Sequence, residues 1–447
     1  MKKKDETEGK PMDRKEERLR VVVMTDISSY GTTLREPDDT QSMIRFLLYA
    51  NEWDVEGLIA TAYGDSGTHV EYLHWLVDDY ENVRPNLLLH DDRYPSADSL
   101  RAVIKTGNET CYVDEPGPGL DCEGSDWLIS VADRNDPRPV WVLLWGGAVE
   151  LAQAIWRVEQ TRTPEDAAAW RAKLRIYAIG DQYSAAGPWI KKNYPDLFYI
   201  TSFQGFRGMY RGGDSVLASP EWIRSHVSEG HGSFASRYPV YDGGDPWGEV
   251  KGLKEGDTPS FLYLIPNGLS DPMHPEWGCW GGRFQEKALA ASSRETEASS
   301  RQYVDTEDTV MGETSARAAV FRWRDAFQAD FAARMAWCVN DYAHVNHAPV
   351  IVTEPEAVPA GKSGQEIGID ASKSWDPDGD ALTFSWSIDR DAGTCPDGVM
   401  ISGADSDTVK LVLPETMDGG ELHLILAVTD CGEPKLTRYR RFVIALE

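Results

Sequence analysis

An acid at the end of an apolar run, and an acid pair shortly after it, carry the chemistry that can be read first in this chain. Val21-Val22-Val23-Met24 leads straight into Thr25-Asp26. Ten residues after Asp26 begins Glu36-Pro37-Asp38-Asp39, followed by an apolar helical stretch from Met43 to Tyr49. A buried strand ending in an acid, with an acid pair at the next helix start, brings three or four carboxylates to one edge of a sheet. Crowded carboxylates repel, so such a cluster calls for a cation, and all-oxygen ligands select a hard one, Ca²⁺ or Mg²⁺. The competing reading makes Asp38 and Asp39 simple helix caps that complement the helix dipole. The acids alone do not decide between the two.

The elements that must position these acids follow in order. Val55 to Ala62 reads as a second strand, ending in the turn Gly64-Asp65. Strand, acid cluster, helix, strand and polar turn make a βαβ unit with its polar residues at the carboxyl ends of the strands, where open α/β sheets bind ligands. Further apolar runs, Val140–Trp145, Leu174–Ile179 and Leu197–Ile200, alternate with helical stretches at Val149–Glu159 and Ala186–Asn193. The expected fold is α/β: a mostly parallel sheet with helices on both faces, over residues 21–344. The stretch from Arg207 to Gly256 is rich in Gly, Pro and aromatics and too long for a simple connection, so it reads as a lid or insertion. His226 and His231 within it read as solvated loop residues.

The motifs resemble the nucleoside hydrolase superfamily. Those enzymes open with a strand, an Asp, a short loop, an Asp-Asp pair and a helix, and then a second strand ending in a polar turn. Gly146-Gly-Ala-Val149-Glu-Leu-Ala152 is similar to the stretch whose Thr gives a backbone carbonyl to calcium in that family, which implies the Val149 carbonyl as a ligand. Gly256-Asp257, opening an apolar helix, resembles the late His-Asp of the family and implies Asp257 as a ligand, with Gly256 standing where the family has the His that helps protonate a departing base. An N-cap role for Asp257 is compatible with both readings. One branch fits better, the nucleoside-hydrolase-like cellulose-binding proteins of polysaccharide-degrading microbes, which carry a small C-terminal β-domain. Asn267-Gly-Leu-Ser-Asp271-Pro…Pro275-Glu-Trp277-Gly-Cys-Trp280-Gly-Gly-Arg283-Phe284 resembles the signature of that branch, as does Gly180-Asp181-Gln182.

The resemblance implies a Ca²⁺ held by Asp26, Asp39, the Val149 carbonyl and Asp257. Asp26 is then the expected base, and Asp38 the residue that holds a sugar hydroxyl and favours an oxocarbenium-like transition state. Asp65, Asp181 and Gln182 are expected to read further hydroxyls. Trp277 and Trp280 are expected either to form a stacking wall or to pack a domain interface, and Glu36 to be a partner behind the ligands or solvated. The expected activity is calcium-dependent hydrolysis of an N- or O-glycosyl bond, furanosyl by preference, in a small glycoside or oligosaccharide. The alternatives are a carbohydrate-binding protein without turnover and a nucleoside hydrolase proper.

Residues 345–447 bring short alternating strands: Ile351–Thr353, Glu366–Asp370, Leu382–Ile388, Val409–Leu413, Leu422–Val428 and Arg438–Ala445. They suggest an immunoglobulin-like sandwich. Asp376-Pro-Asp378-Gly-Asp380 before a Trp-bearing strand resembles cadherin-like and polycystic-kidney-disease-type modules, where the acids either bind a second Ca²⁺ or form an Asx-turn.

Composition sets the limits. The chain has 447 residues and a formal net charge of −28, which argues against nucleic acid and anionic membranes as partners. No stretch of about 18 apolar residues exists to span a bilayer. Residues 1–20 are charged and lack an apolar core, so they read as a disordered tail and not a signal peptide; a cytoplasmic location is expected, or a secreted one if a leader has been removed. An oligomer is compatible with the sequence. Cys111 with Cys122, and Cys395 with Cys431, are candidate disulfide pairs that spacing cannot prove.

Overall fold

The computed structural model describes residues 18–31, 37–183, 185–241, 251–287, 301–417 and 419–447. Glu36 and most of the expected tail lie outside these residues.

Continuous apolar runs become the inner strands of one sheet. The strands are β1 (Leu19–Thr25), β2 (Trp53–Ala60), β3 (Ile104–Thr106), β4 (Val140–Leu144), β5 (Leu174–Ile179), β6 (Phe198–Ser202), β7 (Phe284–Glu286) and β8 (Gln302–Asp305). Their spatial order is β3-β2-β1-β4-β5-β6-β8-β7. All neighbours pair in parallel except β7 and β8. Every residue of β4 is buried, and so are six of the seven in β1, as expected of strands covered by helices on both faces. The strand order reverses between β1 and β4, and such a switch point leaves a crevice at the carboxyl ends of the strands.

β1 starts at Leu19, inside the stretch expected to be a tail. The reason is Arg20, which is fully buried and pairs with Glu56 at 2.7 Å.

The helix Asp38–Leu48 follows β1. All of its residues except Asp38 are buried, because a second layer of chain lies over it. That layer includes the segment around residues 252–262 and the helix Arg324–Trp337. Among the described residues no helix is long and apolar enough to cross a membrane.

The C-terminal strands form two sheets around their own apolar core. One holds Ala360–Gly361, Thr383–Ile388, Glu421–Thr429 and Thr437–Leu446; the other holds Glu366–Asp370, Met400–Ser402 and Thr408–Val412. Trp386, Leu411, Leu424 and Ile444 lie between them. Ile351–Thr353, expected as a strand, makes no ladder. Only isolated bridges flank it, Val350 to Trp375 and Glu354 to Asp370. The edge place beside the last strand is taken by Ala360–Gly361, which pairs in parallel with Ala445–Leu446.

The Trp-rich run around residues 267–284 docks this sandwich on the α/β body. Tyr439 N–H donates to Asn267 O at 2.9 Å, and Arg441 N–H to Gly268 O at 3.1 Å. Arg441 also reaches the carbonyls of Leu269, Trp277 and Gly278. Gly268 permits this approach: a Cβ there would lie 1.8 Å from Tyr439 O. All six cysteines are free thiols. Cys122 instead caps the helix Glu123–Asp133, accepting from Ser125 N–H.

Candidate metal and sugar site at the sheet switch point

The cavity at the switch point measures about 280 Å³. It is lined by the ends of β1, β4 and β5, by the start of the helix Asp38–Leu48, by residues 203–210, and by Lys254 and Asp257. Carboxylate oxygens of Asp38, Asp39 and Asp257 lie within 4.8 Å of one another, and Asp26 lines the same cavity.

The local sequence explains why these acids face inward. Pro37 occupies the N-cap position of its helix without a side-chain cap, leaving Asp38 and Asp39 in the first turn. Asp257 is itself at an N-cap position, yet its carboxylate does not cap. Thr25 donates its hydroxyl to Asp39 Oδ1. A ladder of buried polar contacts then holds the two acid-bearing segments together across the chain. Gln41 accepts from Lys254 N–H at 2.6 Å and donates to Pro239 O at 2.7 Å. Thr258 meets Ser42 at 3.1 Å, and Arg45 pairs with Glu255 at 2.9 Å, both side chains fully buried. From β4, Trp145 Nε1 donates to Ser260 Oγ at 2.8 Å, and Ser260 donates to Asp257 O at 2.6 Å.

Burial and mutual repulsion disfavour ionisation of the acids. Burial raises Asp26 to about 6, against the pull of a hydrogen bond from Tyr183. Burial, then the charge of Asp26, raises Asp38 to about 7, partly offset by backbone N–H groups at the helix start and by Lys254. Glu150 is buried nearby and lifted to about 7 in the same way, Asp26 contributing. Asp38 Oδ1 is buried without a hydrogen-bond donor among the described residues.

Several residues that sequence reasoning missed complete the site. Tyr183 holds φ at +61°, an uncommon left-handed conformation for a tyrosine, and its hydroxyl donates to Asp26 Oδ2 at 2.6 Å. Such local strain tends to occur where a side chain must be aimed. Gly146 lets Asp26 sit against the turn after β4, since a Cβ there would fall 2.6 Å from Asp26 Oδ1. The opposite wall carries Phe203, Phe206, Arg207 and Tyr210. Lys254 is buried against the rings of Tyr210 and Tyr241. The loop bearing this wall is pinned by Asp305 at the end of β8, which accepts from Phe203 N–H, Gln204 N–H and Ser202 Oγ at 2.6–2.8 Å.

Other expected site residues fall elsewhere. Val149 opens the helix Val149–Thr161, is buried in the apolar cluster beneath, and is not among the lining residues. Asp65 is exposed in a short 3₁₀ turn outside the lining. Asp181 does line the cavity but forms an ion pair with Lys191 on the helix behind it. Gln182 also lines it, its amide N–H₂ donating to the carbonyls of Trp145 and Ile179. Trp280 is fully buried against Phe327 and Tyr439. Trp277 stacks on His274 at 4.0 Å and meets His423 of the sandwich edge-on. Neither Trp is a cavity wall; both are committed to packing where the sandwich docks. His226 and His231 bond backbone carbonyls of their own turns, away from the cavity.

The family model described as the nucleoside hydrolase-like domain of cellulose-binding Sde182 matches residues 20–284. The chain belongs to this family. Residues 366–446 match the C-terminal domain of cellulose-binding protein Sde0182. A solved structure titled as a nucleoside hydrolase-related hypothetical protein from Saccharophagus degradans, associated with carbohydrate metabolism, is 33% identical. That comparison covers 96% of this chain and 100% of the other, with a TM-score of 0.80. The nucleoside-hydrolase-like fold expected from the acid motifs is therefore the fold of the chain. A polycystic-kidney-disease-type domain from KIAA 1837 protein matches at 18% identity over 21% of this chain and 83% of its own, with a TM-score of 0.15, too low to carry weight. No curated protein matches the chain.

Proposed function

We propose that this Sde182-family chain is a calcium-dependent hydrolase of a glycosidic bond, acting on a furanosyl or other small glycoside, or on the end of an oligosaccharide. The observation that carries the reading is the carboxylate triplet Asp38, Asp39 and Asp257 beside Asp26 in the floor of a cavity. The donor set fits a hard cation: oxygens on opposite sides of a Ca²⁺ are about 4.6–5.2 Å apart, and the triplet lies within 4.8 Å. The buried, donorless Asp38 Oδ1 supports the same reading. A cation bound there supplies a Lewis acid for water and vicinal hydroxyls.

The chain's own residues do the rest. Tyr183 fixes the carboxylate of Asp26, the group that takes a proton from the attacking water. Asp38 holds a sugar hydroxyl, and its negative charge favours positive charge growing on the ring. Phe203, Phe206 and Tyr210 supply apolar faces for the leaving group. Gly256, beside Asp38 and Phe206, leaves no imidazole for a nucleobase, which favours a glycoside over a free nucleoside. The cavity volume sits at the small end of ligand sites, about 300–1,000 Å³, and suits one sugar ring.

The cellulose-binding description of the matched family favours a second reading, carbohydrate binding without turnover. One experiment separates them: calorimetric titration of Ca²⁺ into chelator-stripped protein and its Asp39→Ala variant, followed by a furanoside and oligosaccharide panel. Binding weakened about 100-fold or more by the variant, with calcium-dependent turnover, supports the hydrolase. Binding unaffected by the variant overturns the metal site. Calcium binding with sugar affinity but no product supports the binder.

A further inference from the structure

The wall opposite the acids carries a cation that the proposed reaction leaves unused. Arg207 lines the cavity, on the loop that follows β6. Its guanidinium carbon lies 4.4 Å from the centre of the Phe206 ring. Nη1 donates to Phe203 O at 2.7 Å and to Gln204 Oε1 at 3.2 Å. Nε and Nη2, which share the other edge of the guanidinium, have no acceptor among the described residues, and no carboxylate there pairs with Arg207. The cations around it are engaged. Lys191 is paired with Asp181, and Arg317 with Glu313 at 2.7 Å. Lys254 lies between the rings of Tyr210 and Tyr241, and its charge is felt at Asp38.

The loop is a stiff mount. Asp305 accepts from Phe203 N–H and Gln204 N–H at 2.6 and 2.7 Å, and Arg211 N–H donates to Arg207 O at 2.8 Å. Gly208 packs so closely on the next layer that a Cβ would lie 2.5 Å from Arg317 O. Phe206 links the guanidinium to the acids. A Cβ at Gly256 would lie 3.3 Å from Asp38 Oδ2 and 3.4 Å from Phe206 Cδ2. One ring therefore has Asp38 near its edge and Arg207 over its face.

We infer that Arg207 recognises an anionic group, a carboxylate or a phosphate, on the leaving-group side of the substrate. The inference rests on the glycosidase reading, which sets the leaving group against Phe203, Phe206 and Tyr210. A guanidinium held at one corner, stacked on an aromatic face and open along the Nε–Nη2 edge takes two oxygens of an oxyanion through parallel bonds. A neutral hydroxyl fills one donor and leaves the charge unanswered. The net charge of −28 makes such a local cation necessary for an anionic ligand. Salt screens distant charges beyond about 8 Å, so the neighbouring guanidinium prevails over the field of the whole chain. Among small glycosides, the site selects those whose departing part is a uronic acid or a sugar phosphate.

The test is calorimetric titration of glucuronic acid, galacturonic acid, glucose 6-phosphate, glucose and galactose into the full-length protein, with and without Ca²⁺, and into Arg207→Gln and Arg207→Lys. An anionic sugar is expected to bind about tenfold or more tightly than its neutral parent, and the uronic acids and the phosphate in parallel show which anion the site takes. Arg207→Gln is expected to bring that ratio to about one, and Arg207→Lys to keep part of it, since it retains the charge and loses the fork. In the unmodified protein, a measurement that needs no variant to fold, the ratio is expected to shrink as salt is raised to about 0.5 M. Equal affinity for anionic and neutral sugars, no binding of any anionic sugar, or a preference that survives Arg207→Gln overturns the inference. Calcium binding that Asp39→Ala abolishes, without an anionic preference, removes the role of Arg207 alone. An anionic preference without calcium binding removes the metal site alone.

Discussion

Asp38, half-buried at the cavity, and Asp330, buried on the helix Arg324–Trp337, are both desolvated acids, and their environments push them in opposite directions. Asp38 faces Asp26, Asp39 and Asp257 and is raised to about 7. Asp330 is desolvated too, but Arg334 and Arg438 each approach it at 3.0 Å, outweigh the burial and hold it at about 2. Burial alone does not set the charge state; the partner does. At Asp330 the partner is part of the protein, and the result is a permanent joint, since Arg438 comes from the sandwich and Asp330 from the body. At Asp38 the partner we propose is a bound cation. The chain neutralises a buried acid with arginines at one place and gathers four acids around one cavity at another, the contrast on which the proposed cation site rests.

Substitution at each place breaks the comparison most directly. Asp330→Ala leaves Arg334 and Arg438 without their buried counter-ion and is expected to cost about 3–5 kcal/mol in urea denaturation. Asp38→Asn removes a repelled charge, so in chelator-treated protein it is expected to raise stability, by on the order of 2 kcal/mol at pH 8. A loss of stability in both variants would abolish the distinction.

The pH dependence sharpens it. Asp26 and Asp38 have folded values above the unfolded carboxylate value of about 4, so the folded state keeps protons that the unfolded state releases. In chelator-treated protein their contribution to stability is present at low pH and is lost as pH rises from about 4 through about 7, on the order of several kcal/mol in total. Asp330 has a depressed folded value, so its contribution is present above pH 4 and is lost as pH falls through about 2. Denaturation midpoints across pH 2–8, with Asp38→Asn and Asp330→Asn as controls, should assign the two limbs separately. Saturating Ca²⁺ should remove the fall between pH 4 and 7 and leave the acid limb in place.

The smallest effect concerns aim within the cluster. Tyr183→Phe deletes the hydrogen bond to Asp26. It is expected to move the acid limb of the rate profile to higher pH and to lower turnover about tenfold at neutral pH, with calcium affinity little changed. Equal losses in calcium affinity and turnover would make Tyr183 a prop for the whole cluster and not a positioning residue for Asp26.

The acids of the cavity were legible because their signal is local. An apolar run ending in Asp26, and an acid pair opening a helix, need no tertiary information, whereas Asp257 was reached through the resemblance of its helix start to the family's late His-Asp. The sheet was legible wherever strands are buried on both faces and read as solid apolar runs, as in β1, β4 and β5. β3 and β8 were missed because they are short edge-side strands with polar residues. With β8 went Asp305, and with it the reason that Phe203 to Tyr210 face the cavity. Lys254 and Tyr183 were invisible as site residues because only the fold brings them to the acids. For Trp277 and Trp280 the sequence left two roles open, and the structure shows the packing one. Their Trp/Gly-rich run looks like a sugar platform in one dimension, yet its role is set by Tyr439 and Arg441 of another domain. Val149 was reached only through the motif resemblance, and the structure places it at the start of a helix, outside the residues that line the cavity.

The ladder between the helix Asp38–Leu48 and the segment around Asp257 has a consequence in time. Its central bond, from Lys254 N–H to Gln41, joins residues 213 positions apart. Closing such a loop belongs to the slow, non-local part of folding. The carboxylates therefore come together only after most of the chain has found its place, so the cluster's repulsion opposes the last step of assembly and not the first collapse. A cation that binds only the finished cluster leaves the rate of folding nearly unchanged and slows unfolding, so it lengthens the lifetime of the native state more than it speeds its formation.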